Sequence, residues 1–312
     1  MGFEYDTAYG VVGDNVTDDT VNLQTAINTA TANGNGLYIT GRSAISIQGS
    51  SVPILTIPSN ANIKFMRGAS LRLIGPYSTY SYSMMALWSV TNVTIDYPML
   101  DGSQELQTLP PIQQDFGMGI DIRGGSGHTI NHADIRDTWG DGIYIAGDNT
   151  TGAAPSSILI TQPHILGAHR NNITVICANG LIIERPILEN PLTNTPGCGI
   201  DFEPDSNADM LQNIEVINPI CMNGNIGIAI DISSLPGPVA QTVSIKISGT
   251  DQIGATYMGI AFGTFTKGGH SISGSVVVNY PRYYHCAGTS LIPTGWNQTA
   301  VPITISNPTT IA

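Results

Sequence analysis

Six short phrases recur through the second half of the chain and restrict its fold more than any other feature. They are Gly119-Ile120-Asp121-Ile122, Gly142-Ile143-Tyr144-Ile145, Asn172-Ile173-Thr174-Val175, Gly199-Ile200-Asp201-Phe202, Gly227-Ile228-Ala229-Ile230 and Gly259-Ile260-Ala261-Phe262. Their starting positions lie 23 to 32 residues apart. Each phrase alternates aliphatic with small or polar residues, the two-residue period of a strand with one buried face. Ahead of most of them a second strand runs into a proline, as in Ile160-Thr161-Gln162-Pro163, Ile183-Glu184-Arg185-Pro186 and Ile217-Asn218-Pro219. Proline is tolerated at a strand end or a corner but not in the middle of a sheet. The pattern predicts coils of two or three short strands joined by corners, with like strands stacked from coil to coil: an all-β, parallel β-helix. A propeller blade needs four antiparallel strands in about 40–45 residues, and these repeats are too short for that.

Composition fits a solenoid. Charged residues are 11% of the 312-residue chain, against roughly a quarter in an ordinary globular domain. The 35 glycines, with abundant Asn, Ser and Thr, suit a corner every few residues. A solenoid has no size ceiling, because each coil touches only its neighbours. We therefore expect one domain over 1–312, with a cap region at 1–36, coils over 37–270 and a carboxyl-terminal cap or assembly region at 271–312. Tyr280 to Trp296, rich in aromatics and proline, belongs to that last region. Crossovers between parallel strands are almost always right-handed, so a right-handed helix of about ten coils is expected.

The formal net charge of -12 and pI near 4.6 argue against nucleic acid or an anionic membrane as the main partner. No apolar run approaches the length of a membrane span, and Met1 to Asp6 has no signal-peptide character. Cys177, Cys198, Cys221 and Cys286 form no CxxC pair and no metal-like spacing, which predicts free thiols packed as small apolar residues.

The stretch Tyr9-Gly10-Val11-Val12-Gly13-Asp14-Asn15-Val16-Thr17-Asp18-Asp19-Thr20, followed by Leu23-Gln24 and Ala26-Ile27, closely resembles the opening of the pectate-lyase-like superfamily of β-helix proteins. Its chemistry is that of a helix start. Thr17 or Asp18 suits a cap, and Val21, Leu23, Ala26 and Ile27 make an apolar face. A helix near Asp18–Thr31 would close the open end of the first coil. Asp14, Asp18 and Asp19 then read as turn and cap residues and not as a carboxylate site. The internal phrases Trp139-Gly140-Asp141-Gly142-Ile143, His169-Arg170-Asn171-Asn172-Ile173 and Gly199-Ile200-Asp201-Phe202-Glu203-Pro204 look like successive coils of bacterial and phage proteins that act on polysaccharides, such as tailspike depolymerases and relatives of the polygalacturonases. This resemblance implies a polysaccharide partner, an extracellular or virion setting and, for the tailspike version, a homotrimer.

If the aliphatic positions of the column face inward, the alternate positions face solvent. That reading exposes Asp121, Arg123, Tyr144, Asn172, Thr174, Asp201, Glu203 and Asp231 as one polar stripe. Asp141 and Arg170 sit at its edge. Asp201 and Glu203 share one strand face about 6.5–7 Å apart, and Asp141 lies two strands away, about 9–10 Å. Carboxylates at such spacings suit glycoside hydrolysis, in which inverting enzymes separate acid and base by roughly 6.5–9.5 Å. We therefore expect Asp201, Glu203 and Asp141 as catalytic residues. Arg170, His169, Tyr144, Asp115, Gln114, Asp121 and Arg123 are expected to bind substrate, with Asp121 and Arg123 also readable as an on-strand ion pair. The insertion from Asp101 to Phe116 supplies Gln113, Gln114 and Asp115 beside the first phrase, where solenoids carry binding loops. Trp88 and Trp139 read as stacking faces for sugar rings or as packing under corners. His128, His132 and His164 are expected at solvent or at corners.

Hydrolysis needs no cofactor. A lyase acting on a uronate polymer remains an alternative and would need a base with Arg or Ca²⁺ as neutraliser. The surplus of acids favours hydrolysis, and a non-catalytic glycan-binding spike is the third reading.

Overall fold

A computed structural model describes residues 2–47, 53–79, 81–108, 116–191, 196–265 and 272–311. The described chain winds into three parallel sheets of eleven, eleven and nine strands. Every pairing links a strand to its counterpart one coil away, so the molecule is the all-β solenoid of about ten turns that the phrases predict.

The register follows the phrases. Ile120, Ile143, Ile173, Ile200, Ile228 and Ile260 pair in one unbroken row of the third sheet, and Ile122, Ile145, Val175, Phe202, Ile230 and Phe262 in another. All are buried inside the coil. Truncating one such isoleucine to alanine costs about 2–5 kcal/mol in a close-packed interior.

Glycine opens most phrases for lack of space and not for turn geometry. A Cβ on Gly142 would lie 2.4 Å from Ile165 Cγ2, and one on Gly199 would lie 2.6 Å from the Gly227 carbonyl oxygen. The prolines stand at the corner between the first and second sheets, each after a residue at positive φ: Tyr97, Gln162, Arg185, Asn218 and Tyr280.

The helix spans Thr20–Ala32 and buries Leu23, Ala26, Ile27 and Ala30. Val21 is exposed instead. Asp18 accepts hydrogen bonds from the Thr20 amide and hydroxyl, while the Asp19 carboxylate takes the amides of Val12 and Gly13. These acids do turn work, but the expected cap is not made: the N-cap position is Asp19, whose side chain bonds no amide of the helix. Beyond residue 271, where the phrases fade, strands Ile272–Asn279, Arg282–Tyr284, Ser290–Leu291, Ile303–Ser306 and Thr309–Ile311 still extend the three sheets. The cysteines are free, and Cys177, Cys198 and Cys221 are buried.

One histidine breaks the expectation. His132 is exposed at a corner and His164 is half-buried, 2.9 Å from Glu189, but His128 lies wholly inside the coil, paired in register with Ile158. The strand Ser126–Asn131 alternates, so the face that buries Ile130 also buries His128. Neither ring nitrogen has a hydrogen-bond partner among the described residues, and burial pushes its pKa down to about 4.

Candidate active site

The middle row of the third sheet runs Ala86, Asp121, Tyr144, Thr174, Asp201, Ala229 and Ala261. It lies outside the coil, as alternation requires, but solvent does not reach it. Asp121, Thr174, Asn172 and Asp201 are buried, and Asp141, Asn171 and Arg170 with them. This corrects the expectation of an exposed stripe for these residues, while Arg123, Glu203 and Asp231 are half-buried. A second apolar cluster, Met118, Tyr144, Ala146, Ile176 and Cys177, packs on the outer face with Phe116, Ala154 and Met210 against it. These flanking side chains shield the polar row, something strand alternation alone does not foresee.

Inside that shielded row, Asn171 ties the acids together. Its backbone amide donates to Asp141 Oδ1 at 3.0 Å, and its side-chain amide donates to Asp201 Oδ2 and to Thr174 Oγ1, both at 3.1 Å. Its own carbonyl oxygen accepts from the Cys198 amide at 2.8 Å. Arg170 Nε donates to Asp141 Oδ1 at 3.0 Å, and the guanidinium lies over the Phe116 ring at 5.6 Å. Asp141 Oδ2 has no partner among the described residues.

Burial decides the protonation of this group. It raises the Asp141 carboxyl above the ordinary range, although Arg170 pulls it back down. It raises Asp201 well above that range, helped by the nearby Glu203 charge and opposed by Arg170. Glu203 is half-buried and raised by the same desolvation, again opposed by Arg170. Asp205, raised chiefly by burial, feels Arg170 as well. Four acids thus share one guanidinium, and a cluster of this kind cannot be ionised throughout.

The other expected site residues divide. Asp121 accepts two bonds from Arg123 Nε, at 2.9 and 3.1 Å, and one from Ser83 Oγ at 2.7 Å, which makes it the on-strand ion pair. The Arg123 guanidinium bridges the Trp88 and Tyr144 rings, at 5.3 and 5.0 Å. Burial raises the Tyr144 hydroxyl pKa. His169 stacks face to face on Trp139, centroids 4.3 Å apart, at the edge of the cluster. Gln113, Gln114 and Asp115 lie outside the described residues. Asn171, Thr174 and Asp205 carry weight that the sequence reading did not assign. For Asn171 the signal was its place directly after Arg170, at the entrance to the strand.

No family model matches the chain. The uncharacterized protein YclG of Bacillus subtilis (strain 168) is 24% identical over 216 residues, 62% of this chain and 37% of YclG, so the chain spans little more than a third of that relative. Among solved structures, the exopolygalacturonase of Thermotoga maritima is similar at a TM-score of 0.62 and 10% identity, covering 99% of this chain and 91% of its own. The mannuronan C-5 epimerase AlgE6 A-module of Azotobacter vinelandii matches at 0.53 and 14%, covering 99% of both chains. Tailspike gp49 of Acinetobacter baumannii bacteriophage Fri1, a capsular polysaccharide depolymerase, matches at 0.60 and 13%, covering 99% of this chain and 63% of its own. With the sheet register, these likenesses show the fold: a right-handed parallel β-helix. Among the described residues, no helix is long and apolar enough to cross a membrane.

Proposed function

We propose that the protein cleaves a polysaccharide at glycosidic bonds by carboxylate acid/base hydrolysis. The observation that carries this is the shared shell of Asp141, Asp201 and Glu203 around Arg170, with burial driving Asp201 toward its protonated form. A glycosidase needs one carboxyl that still holds its proton at working pH and another that does not. Asp201 fits the first requirement; because its carboxyl is buried, giving its proton to the leaving glycosidic oxygen requires the side chains over it to move aside when the sugar enters. Glu203, the half-exposed member, takes a proton from the attacking water. Asp141, held by Arg170 and Asn171, faces the positive charge that develops on the sugar ring. His169 on its Trp139 platform, Arg123 and Tyr144 border the site and orient the chain.

Hydrolysis is favoured over elimination because Arg170 and Arg123 are already engaged by Asp141 and Asp121, which leaves no unpaired cation among the described residues of the cluster to neutralise a uronate. Ca²⁺ belongs only to that lyase reading. The polysaccharide-active proteins among the structural neighbours support the substrate class, and a setting outside the cell or on a virion goes with it. A homotrimer belongs to the tailspike version, and light scattering that gives a monomer would remove it. The test is incubation with capsular, O-antigen and plant polysaccharides. New reducing ends without unsaturated products are expected. Ultraviolet-absorbing unsaturated ends would mean a lyase, and no cleavage on any polymer would leave a binding spike.

A further inference from the structure

Two grooves away from the acidic cluster meet on the first five coils, at the corner between the first and second sheets. One, of about 610 Å³, is lined by Tyr38, Lys64, Arg67, Tyr97, Met99 and His132 among others. The other, of about 390 Å³, shares Gly68 and Met99 with it and adds Arg42, Arg72 and Arg136. Together they gather five of the chain's eleven Lys and Arg residues in a protein of net charge -12.

The acids nearby are matched. Asp134 pairs with Arg136 at 2.9 Å, Asp101 and Glu105 pair with Arg72 at 3.6 and 3.4 Å, and Asp96 accepts from Asn131. Asp14 is taken up by Thr17 and Val16. Arg42, Lys64 and Arg67 are left with no carboxylate partner among the described residues. Beside them stand exposed apolar and aromatic surfaces: Tyr97 is 49% exposed, Met66 44% and Met99 36%. Tyr97 stacks on His132 at 4.8 Å and carries the Lys64 ammonium 5.9 Å from its ring centre, and Tyr38 continues the platform one strand beyond Lys64.

We propose that this groove is a second binding site, separate from the acidic cluster, for an acidic oligosaccharide bearing carboxylate or sulfate groups. A pyranose presents an apolar face to Tyr97 or Tyr38 and keeps its hydroxyls wet, while its acid groups reach Arg42, Lys64 and Arg67. Arginine matches an oxyanion with two parallel donors, and the groove has the volume of an ordinary ligand cleft. The acidic cluster repels a polyanion, so a basic groove elsewhere on the solenoid would hold such a chain near it. The choice of a saccharide over another anion rests on the polysaccharide reading of the fold. The site itself does not require that the acidic cluster be catalytic.

The test is calorimetric titration of the full chain with hexagalacturonate, with an iota-carrageenan hexasaccharide and with neutral maltohexaose. The two charged probes separate carboxylate from sulfate as the source of the anion. Binding of at least one charged probe is expected, weakened at least about ten-fold in Lys64→Gln/Arg67→Gln, which removes the cations, and in Tyr97→Ala, which removes the ring face. Asp201→Asn should bind as the wild type does, whether or not any polymer is cleaved. Unchanged binding in Lys64→Gln/Arg67→Gln would overturn the proposal. So would equal binding of maltohexaose, binding of neither charged probe, or a concentration-dependent dimer abolished by Tyr97→Ala, which would make this face a contact between copies.

Discussion

Arg170 donates its Nε–H to Asp141 Oδ1 at 3.0 Å, and both side chains are withdrawn from solvent. A buried pair of this kind is costly to break from one side, because the remaining charge keeps its desolvation penalty without its partner. Arg170→Met should therefore lower stability by about 3–5 kcal/mol in urea denaturation. Adding Asp141→Asn should recover part of the loss, since the orphaned charge is then gone. Losses in Arg170→Met and Asp141→Asn that simply add in the double variant would mean that the pair is not coupled.

Asp201 leads to an opposite expectation. Its folded-state carboxyl binds a proton more tightly than the unfolded chain does, because burial and the Glu203 charge disfavour ionisation. The stability this gives is present below the ordinary carboxylate range and is lost as pH rises through the shifted value. Asp201→Asn keeps an oxygen for Asn171 Nδ2 and cannot ionise. At about pH 8 it should melt roughly 2–4 °C above the wild type, and the gap should close toward acid pH. A variant that melts lower at every pH would contradict the assignment.

His128 works in the other direction. Burial takes its pKa from 6.5 down to about 4, so the unfolded chain binds the extra proton first. Its contribution is complete above the unfolded value and is lost as pH falls from there to about 4. The loss amounts to roughly 2–3 kcal/mol over that window. His128→Leu, apolar and of similar bulk, should flatten the acid side of the stability profile relative to the wild type. Parallel acid limbs in the two proteins would show that His128 does not titrate as its burial requires.

How far the sequence revealed this can be argued from particular residues. The row Ile120, Ile143, Ile173, Ile200, Ile228 and Ile260 was legible because a parallel coil repeats its register, so aligned phrases are aligned strands. The alternation of its strand placed Asp201 outside the coil, in the same row as Tyr144 and two strands from it. Its burial was not legible, because alternation tells which side of the sheet a residue faces and not what packs over that side. His128 was missed because a histidine in the inward register of Ser126–Asn131 breaks the apolar rule by which that register is recognised. The basic groove was illegible for a related reason. Arg42, the group Lys64, Arg67 and Arg72, and Arg136 come from separate coils and meet only when the coils stack.

The most direct measurement is the cleavage rate of Asp201→Asn and of Glu203→Gln on a polysaccharide that the wild type cuts. Both substitutions preserve size and remove the titrating group. Loss of a general acid or base costs about 10²–10⁴-fold, so each variant should fall by that amount while still folding and binding the polymer. Wild-type rates in both variants would place the chemistry elsewhere on the helix and contradict the acid/base role of this cluster.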